Sequence, residues 1–359
     1  MGTKIWERYF LKETLKTFLL FILCFYGLFV LIDYATHAAS FHRTGLALHW
    51  QDIAFYYLLE FIKRMDVLIP FALLLSTIRT LTNLNVHNEL VALMASGVKL
   101  KTLLRPFIYL ALLFTMLLYL NTELFIPKAL KEMKHMDNLR SIAKHKDRHN
   151  KTIHNLTLED GSTLLFQNYD SIEEHFFDAY WIQSADEIYR IKFLYPYKEV
   201  AEGHFVDHLE RSPAGAMSAK GSYEKTTFPK MKFNNATLFE TLTTPDEQSY
   251  SELWPKIASL VESESEKQAQ LVATFYFKLV MPWICLLAVI APAPFCINFS
   301  RNQSFFFLYA CSIFGLVAMY IIMDSALVLA ERQVMLPAAA ILVPFMGLMA
   351  FFGYRYIKK

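Results

Sequence analysis

Long apolar runs recur along the chain, and short polar segments separate them. Most of these runs reach about 20 residues, the length that an α-helix needs to cross the hydrocarbon core of a bilayer. The pattern therefore predicts a polytopic α-helical membrane protein with six transmembrane helices, at about 17–39, within 52–84, and at about 103–126, 271–299, 305–323 and 336–354.

The second helical run is longer than one membrane crossing requires. Residues 52–84 would form a helix of about 50 Å, whereas the hydrocarbon core is about 30 Å thick. Its outer portion carries Glu60, Lys63, Arg64 and Asp66, and Glu60 can pair with Arg64 one turn away. Two interpretations stay open here. The charges form a solvated lead-in to a short span, or Lys63 or Arg64 faces a water-filled cavity and meets an anionic substrate.

A short helix is predicted between the second and third spans, over residues 86–96. Asn85 is a candidate N-cap, Glu89 places an acid in the first turn, and Gly97 is suited to a left-handed C-cap. Val86, Leu90 and Leu93 are expected to form one apolar stripe. Because such a helix is too short to be stable alone in water, its exposed face is expected to meet a partner or the membrane surface.

The segment 128–270 differs from the rest of the chain, with 18 basic and 23 acidic residues against 17 and 10 elsewhere. That asymmetry predicts an external domain, with basic residues biased to the cytoplasmic side. Alternating runs at 152–158, 162–169, 176–183 and 187–195, with a turn signal at Asp160-Gly161, predict a β-sandwich or jelly roll with an apolar groove. The predicted divisions are 1–127, 128–270 and 271–359.

Composition and charge support this topology. The chain is 55% hydrophobic with a mean hydropathy of +0.28. Near the span ends, twelve basic residues lie on the predicted inner side and five on the outer side, which places both termini in the cytoplasm.

The first apolar run lacks a nearby small-residue cleavage site and is expected to stay as an anchor. The cysteines, which lie in apolar runs without paired spacing, are expected to be packing residues: Cys24, Cys285, Cys296 and Cys311.

Catalytic and metal-binding motifs are weak. The chain has no phosphate-binding G-x-x-x-x-G-K-[ST] loop and no G-x-S-x-G nucleophile elbow, so any ATP hydrolysis is expected in another subunit. His145 and His149 are four residues apart but have no H-E-x-x-H context, and a solvated polar helix explains them without a metal. No cofactor is predicted.

Ionisable residues also occur near the outer ends of two predicted spans. Asp33 and His37 share one helix face near the outer end of the first span, and Asp324 follows the fifth span. Each is either an ordinary helix-end residue or part of a cavity lining.

The motif from Glu89 to Gly97, set between three spans and a β domain followed by three more spans, resembles the LptF/LptG (YjgP/YjgQ) permeases of the lipopolysaccharide exporter. Arg8-Tyr9, Pro127, Pro282 and Leu336-Pro337 add to the resemblance. It implies a bacterial inner-membrane permease that pairs with a second six-span permease on two LptB ATPases. The short helix would be the coupling helix, which docks on the ATPase through Glu89, Leu90, Leu93, Met94 and Gly97.

The resemblance also implies a route for the substrate. The first and fifth spans would form a lateral gate through which lipopolysaccharide leaves the outer leaflet of the inner membrane, and a periplasmic jelly roll would pass it to a bridge protein. Asp33 and Asp324 resemble the LptG side of the family, but His37, His42 and Arg43 stand where LptG-type members carry lysines. The substrate and gate candidates are Asp33, His37, Arg43, Lys63, Arg64, Lys278 and Asp324.

Two other functions remain open from the residues alone. One is a different ABC-type permease for envelope lipids or for lipoprotein release. The other is a membrane enzyme that acts on envelope lipids, with membrane carboxylates as its reactive groups.

Overall fold

The structure is a computed structural model that describes residues 4–43, 50–130, 132–133, 154–158, 161–170, 175–184, 186–196, 200–211, 217–229, 231, 245, 248–258, 266–297 and 305–358. The chain divides into two compact units. One unit comprises Met1–Met133 with Pro245–Lys359, and the other comprises Lys134–Thr244.

The first unit is helical, and a π-helical turn, Asn121–Phe125, follows its fourth helix. A 3₁₀ turn, Met281–Trp283, separates its sixth and seventh helices. The helices are α1 (Ile5–Arg43), α2 (Trp50–Val86), α3 (Glu89–Ala95), α4 (Leu100–Leu120), α5 (Tyr250–Ala258), α6 (Glu266–Val280), α7 (Ile284–Ile290), α8 (Ala293–Cys296), α9 (Phe305–Glu331) and α10 (Pro337–Lys358).

Five helical segments of the described chain are long and apolar enough to cross a membrane, judged by length and composition only. They are Ile5–Thr36, Leu100–Leu130, Gln268–Cys296, Phe305–Glu331 and Pro337–Lys358. The second helix, α2, is not one of them, and it is the helix that carries four charged residues between positions 60 and 66. The polytopic helical class is confirmed, and the count of six spans stays a prediction.

The α2 helix lies at the centre of the helical unit, where it packs against α1, α7, α8 and α9. Residues 72–78 of α2 are all buried, because they are small or apolar around the whole circumference of the helix. The fourth predicted span is broken at its prolines: Pro282 lies in the 3₁₀ turn, and Pro292 and Pro294 flank the start of α8. The result is one apolar core to which the helices of this unit other than α5 contribute.

The fifth span runs further than the sequence predicted. The helix α9 continues past Asp324 to Glu331, because residues 325–330 are again mostly apolar helix formers. Asp324 therefore lies inside a helix, about two turns before its end, and not at the end of the span.

The connection between α2 and α4 contains the predicted short helix, with a corrected start. Asn85 does not cap it: Asn85 lies inside α2, and its amide donates to the carbonyl oxygen of Cys296 at 3.2 Å. The N-cap is Asn88, in the left-handed conformation, so α3 covers 89–95 rather than 86–96. The left-handed Gly97 is confirmed at a φ of 90°, and Val98 N–H donates to the carbonyl oxygen of Leu93.

The second unit is an antiparallel β-sheet. Its strands are β1 (His154–Thr157), β2 (Thr163–Phe166), β3 (Asn168–Asp170), β4 (His175–Ser184), β5 (Glu187–Tyr195), β6 (Ala201–Arg211) and β7 (Met217–Phe228). They pair in the order β1-β2-β4-β5-β6-β7, and β3 also pairs with β4. The β1–β2 turn has Gly161 in the left-handed region, as predicted, while Asp160 lies outside the described residues.

This inserted β domain confirms the predicted class, while the jelly-roll arrangement stays a prediction. The four predicted strand regions correspond to β1–β5. The last two strands were not predicted, because β7 is polar at most positions and β6 has Gly203 in its interior. That glycine is required by packing: a Cβ there would lie 2.8 Å from the ring of Phe228 and 2.9 Å from the Ile191 side chain.

Candidate functional site

The short helix α3 presents two different faces. Leu90 is 1% exposed and belongs to the core, and Leu93 packs against that core. Val91 and Met94 are 36% and 37% exposed on the other side. Of the five residues predicted to couple, Leu90 and Leu93 therefore hold the helix to the bundle, whereas Met94 and the open Gly97 face outward.

Glu89 lies at the first turn of α3 and beside the start of α1. Its Oε1 accepts a long hydrogen bond of 3.5 Å from the hydroxyl of Tyr9. The next residue of α1, Phe10, is buried against Phe107 of α4. The acid is therefore stabilised by the positive end of the α3 dipole, at a point where α1, α3 and α4 come together.

A polar cluster joins α1 to α2 at the other end of α1. The hydroxyl of Tyr57 donates to Oδ2 of Asp33 at 3.0 Å, and Tyr26 donates to the carbonyl oxygen of Tyr57. The predicted partner of Asp33, His37, has its side chain outside the described part of the structure, as does Arg43. Asp33 therefore takes part in holding α1 against α2.

The same cluster contains an ion pair. Nη2 of Arg64 lies 2.7 Å from Oε1 of Glu60, which confirms the predicted pairing. Glu60 is 5% exposed, and the guanidinium lies 4.2 Å from the centre of the Phe29 ring. Because Glu60 neutralises Arg64, the exposed Lys63 is the cation of this cluster better suited to an outside anion.

A contact between α9 and α2 positions Asp324. The hydroxyl of Tyr320, one turn before Asp324, donates to the carbonyl oxygen of Asp66 at 2.9 Å. The Tyr320 ring also stacks on Phe71 of α2. Asp33 and Asp324 thus lie on two helices that both pack on α2, and Asp324 itself is exposed.

Lys278 is engaged within the chain. Its Nζ donates to the carbonyl oxygens of Gln248 and Pro245 at 2.7 and 3.2 Å. In return, the hydroxyl of Tyr250 donates to the carbonyl oxygen of Lys278 at 2.6 Å. These bonds attach the segment before α5 to α6, so this predicted substrate contact has a structural role in the described chain.

The helix α5 was missed by the sequence reasoning, although its start carries a recognisable signal. Ser249 and Glu252 form a capping box: Ser249 N–H donates to Glu252, and Glu252 N–H donates to the Ser249 hydroxyl. Glu123 of the π-helical turn accepts from Tyr250 N–H at 2.9 Å and from the Ser251 hydroxyl. An S-x-x-E spacing at 249–252 was the available signal for this helix.

The family of the chain follows from comparison with known proteins. A sequence model described as "Lipopolysaccharide export system permease LptF/LptG" matches residues 8–358. The chain belongs to the LptF/LptG family. It is a permease of lipopolysaccharide export, a transporter component rather than an enzyme, which decides between the three functions that the residues alone left open. A comparison with curated proteins gives no significant match.

The described residues of this LptF/LptG-family permease contain no group of three or more His, Cys, Asp or Glu side chains that could hold a metal ion. His145 and His149 lie outside that part of the chain. Cys285 and Cys296 are buried free thiols, as expected of packing residues, whereas Cys24 and Cys311 are exposed on α1 and α9.

Proposed function

We propose that this permease is one subunit of an ATP-driven exporter in the bacterial inner membrane. It would pair with a second six-span permease on two copies of a cytoplasmic ATPase. Both termini would lie in the cytoplasm and the β unit in the periplasm. The bias of basic residues toward the predicted inner ends of the spans supports this orientation.

The observation that carries the proposal is the division of α3 into an anchored face and an exposed face. Leu90 fixes the helix to the bundle, and Val91 and Met94 present an apolar surface beside the acid of Glu89. An apolar surface with an acidic edge is suited to a groove on a partner that has basic residues at its rim. The proposed contact residues are Glu89, Val91, Met94 and Gly97, with Leu90 and Leu93 as anchors.

The lateral gate would lie where α1 and α9 meet the second permease. Both helices leave most of their apolar surface uncovered by this chain, as at Leu23 and Leu31 on α1 and at Phe314 and Ile321 on α9. Asp33 and Asp324 would line the opening. Lys63, with Arg43 and His37, would meet the phosphates of the lipid, because the exposed ammonium group of Lys63 attracts an anion.

The β unit would receive lipopolysaccharide from the gate and pass it to a periplasmic bridge protein. Its buried side chains lie together in one apolar cluster, which forms the core of this unit. The LptG-like assignment stays a prediction from Asp33 and Asp324, because one family description covers both types of permease.

The Glu89→Lys variant tests the coupling role. The full-length variant is expected to fold and insert but to recover at least tenfold less of its cognate ATPase in a pull-down, since the acid becomes a cation at the contact surface. Glu224→Lys is the matched control: it makes the same charge reversal at an exposed position of β7, in the other compact unit. Equal recovery of the ATPase by both variants would contradict the assignment of α3 as the coupling helix.

A further inference from the structure

An apolar groove runs along one side of α9, in the helical unit. It has a volume of about 790 Å³ and is walled by α7, α8, α9 and α10, with Leu74 of α2 at its base. Its walls are almost entirely apolar, and small residues widen it, among them Ala288, Gly315 and Ala318. A water molecule is poorly stabilised in such a space, because few hydrogen-bond partners are available to it there.

The groove is long, narrow and open to the surface of the bundle. Its lining on α9 extends from Phe307 to Ile322, which is about 22 Å along the helix axis. Both of these residues and Gly315 between them are exposed, so the groove can be entered from the side. An apolar space of this length with an opening along its side suits an extended hydrocarbon chain.

The positively charged side chain of Arg355 lies at one opening of the groove. The guanidinium of Arg355 lies 5.4 Å from the ring centre of Phe295 and 5.3 Å from that of Phe351. Phe295 is itself a lining residue, so the charge is at the edge of the apolar space. Arg355 is exposed, and its planar group can form two parallel hydrogen bonds to a phosphate.

This opening lies at the same end of the bundle as α3. The bond from the amide of Asn85 to the carbonyl oxygen of Cys296 joins the end of α2, just before α3, to the end of α8. Under the proposed function this end faces the cytoplasm. The inference below rests on that proposal only for the choice of leaflet.

We infer that the groove is a binding site for an anionic phospholipid of the cytoplasmic leaflet. One acyl chain occupies the space between α9 and α7–α8, and the phosphate meets Arg355. The lipid is not the transported lipopolysaccharide, which the proposed gate takes from the other leaflet. By filling the space between α9 and the core, it supports one of the two helices that are proposed to form the gate.

Native mass spectrometry of the purified full-length permease tests this site. The protein is offered phosphatidylglycerol or phosphatidylcholine with identical acyl chains, in the absence of any ATPase. Gly315→Leu fills the groove, and Gly347→Leu is the matched control, because a Cβ at either glycine meets nothing within 4 Å and only Gly315 lines the groove. We expect Gly315→Leu to lose one retained lipid and Gly347→Leu to lose none.

The Arg355→Gln variant separates the headgroup contact from the acyl-chain contact. It should lower the preference for phosphatidylglycerol over phosphatidylcholine about fivefold, the equivalent of about 1 kcal/mol for one basic side chain, while the groove still retains lipid. If Gly315→Leu folds poorly by size-exclusion chromatography, Ala318→Leu fills the same space.

Three results would overturn the inference: equal lipid retention by Gly315→Leu and Gly347→Leu, no headgroup preference in the unmodified chain, or displacement of the bound phospholipid by lipopolysaccharide. None of these results depends on the ATPase. A failure of the coupling proposal, seen in the pull-down with Glu89→Lys, would therefore leave the lipid measurement unaffected.

Discussion

Replacing Lys278 with methionine tests whether this side chain anchors α5 or meets the transported lipid. Among the described residues, its ammonium group donates hydrogen bonds to the carbonyl oxygens of Gln248 and Pro245. A hydrogen bond from a charged group contributes about 1.5–3 kcal/mol when it is well shielded. Because Lys278 is only half-buried, we expect the two together to contribute about 2 kcal/mol. Methionine retains a similar apolar stem, so the variant removes the contacts of the ammonium group and keeps those of the stem.

The expected result is local opening of the segment 248–258 without loss of the fold. A loss of about 2 kcal/mol in the free energy of local opening speeds amide exchange roughly 30-fold. Hydrogen exchange of peptides that cover α5, read by mass spectrometry, measures this directly. The bond from the Tyr250 hydroxyl to the Lys278 carbonyl and those from Tyr250 and Ser251 to Glu123 survive in the variant, so α5 should loosen rather than unfold.

The control is Lys63→Met, which removes an exposed lysine of α2 and should leave exchange in α5 unchanged. The reasoning is refuted if Lys278→Met leaves the exchange of α5 as in the unmodified protein. If lipopolysaccharide release falls at the same time, Lys278 acts on the substrate, as the sequence alone suggested.

Two further predictions concern the β unit. Gly203→Ala should lower the free energy of unfolding by about 1–3 kcal/mol, because the added carbon lies within 3.0 Å of three side chains. At the control position, Gly221→Ala, the added carbon meets only the movable ring of Tyr223, so the free energy of unfolding should fall by less. Equal shifts of the melting temperature in the two variants would contradict this prediction. The Tyr189 hydroxyl, and then His208, hold the pKa of Glu187 below its ordinary value of 4.5. Its stabilising contribution is therefore present above about pH 4.5 and is lost as the pH falls through the lowered pKa. Tyr189→Phe should raise that pKa in a ¹³C NMR titration, and an unchanged value would show that the hydroxyl is not its cause.

The features that were predicted correctly depend on local chemistry. Long apolar runs form helices wherever they occur, and Gly97 adopts a left-handed conformation that other residues rarely tolerate. Asn85 shows where this reasoning ends. Its side chain is equally suited to capping, but its bond to Cys296, 211 positions away, allows α2 to continue to Val86. A contact so distant in the chain leaves no trace in the local pattern.

The candidate site was only partly predictable for the same reason. The residue types on α3 indicated a docking helix, but the direction of each side chain depends on where the rest of the bundle lies. Leu90 turned out to face the core and Val91 to face outward. Likewise, Lys278 looked like a substrate contact because a charge near a membrane suggests function. Its bonds reach the segment before α5, whose fold depends on a capping box and on Glu123.

The two faces of α3 also separate two evolutionary pressures on this helix. Under the proposed coupling role, substitutions at the buried Leu90 would act on the stability of the bundle, whereas substitutions at the exposed Met94 would act on the fit to the ATPase. The outward face would then be free to change together with a changing ATPase without a loss of folding. Chimeras that exchange only Val91 and Met94 between relatives would transfer partner preference while they retain the host's own thermal stability.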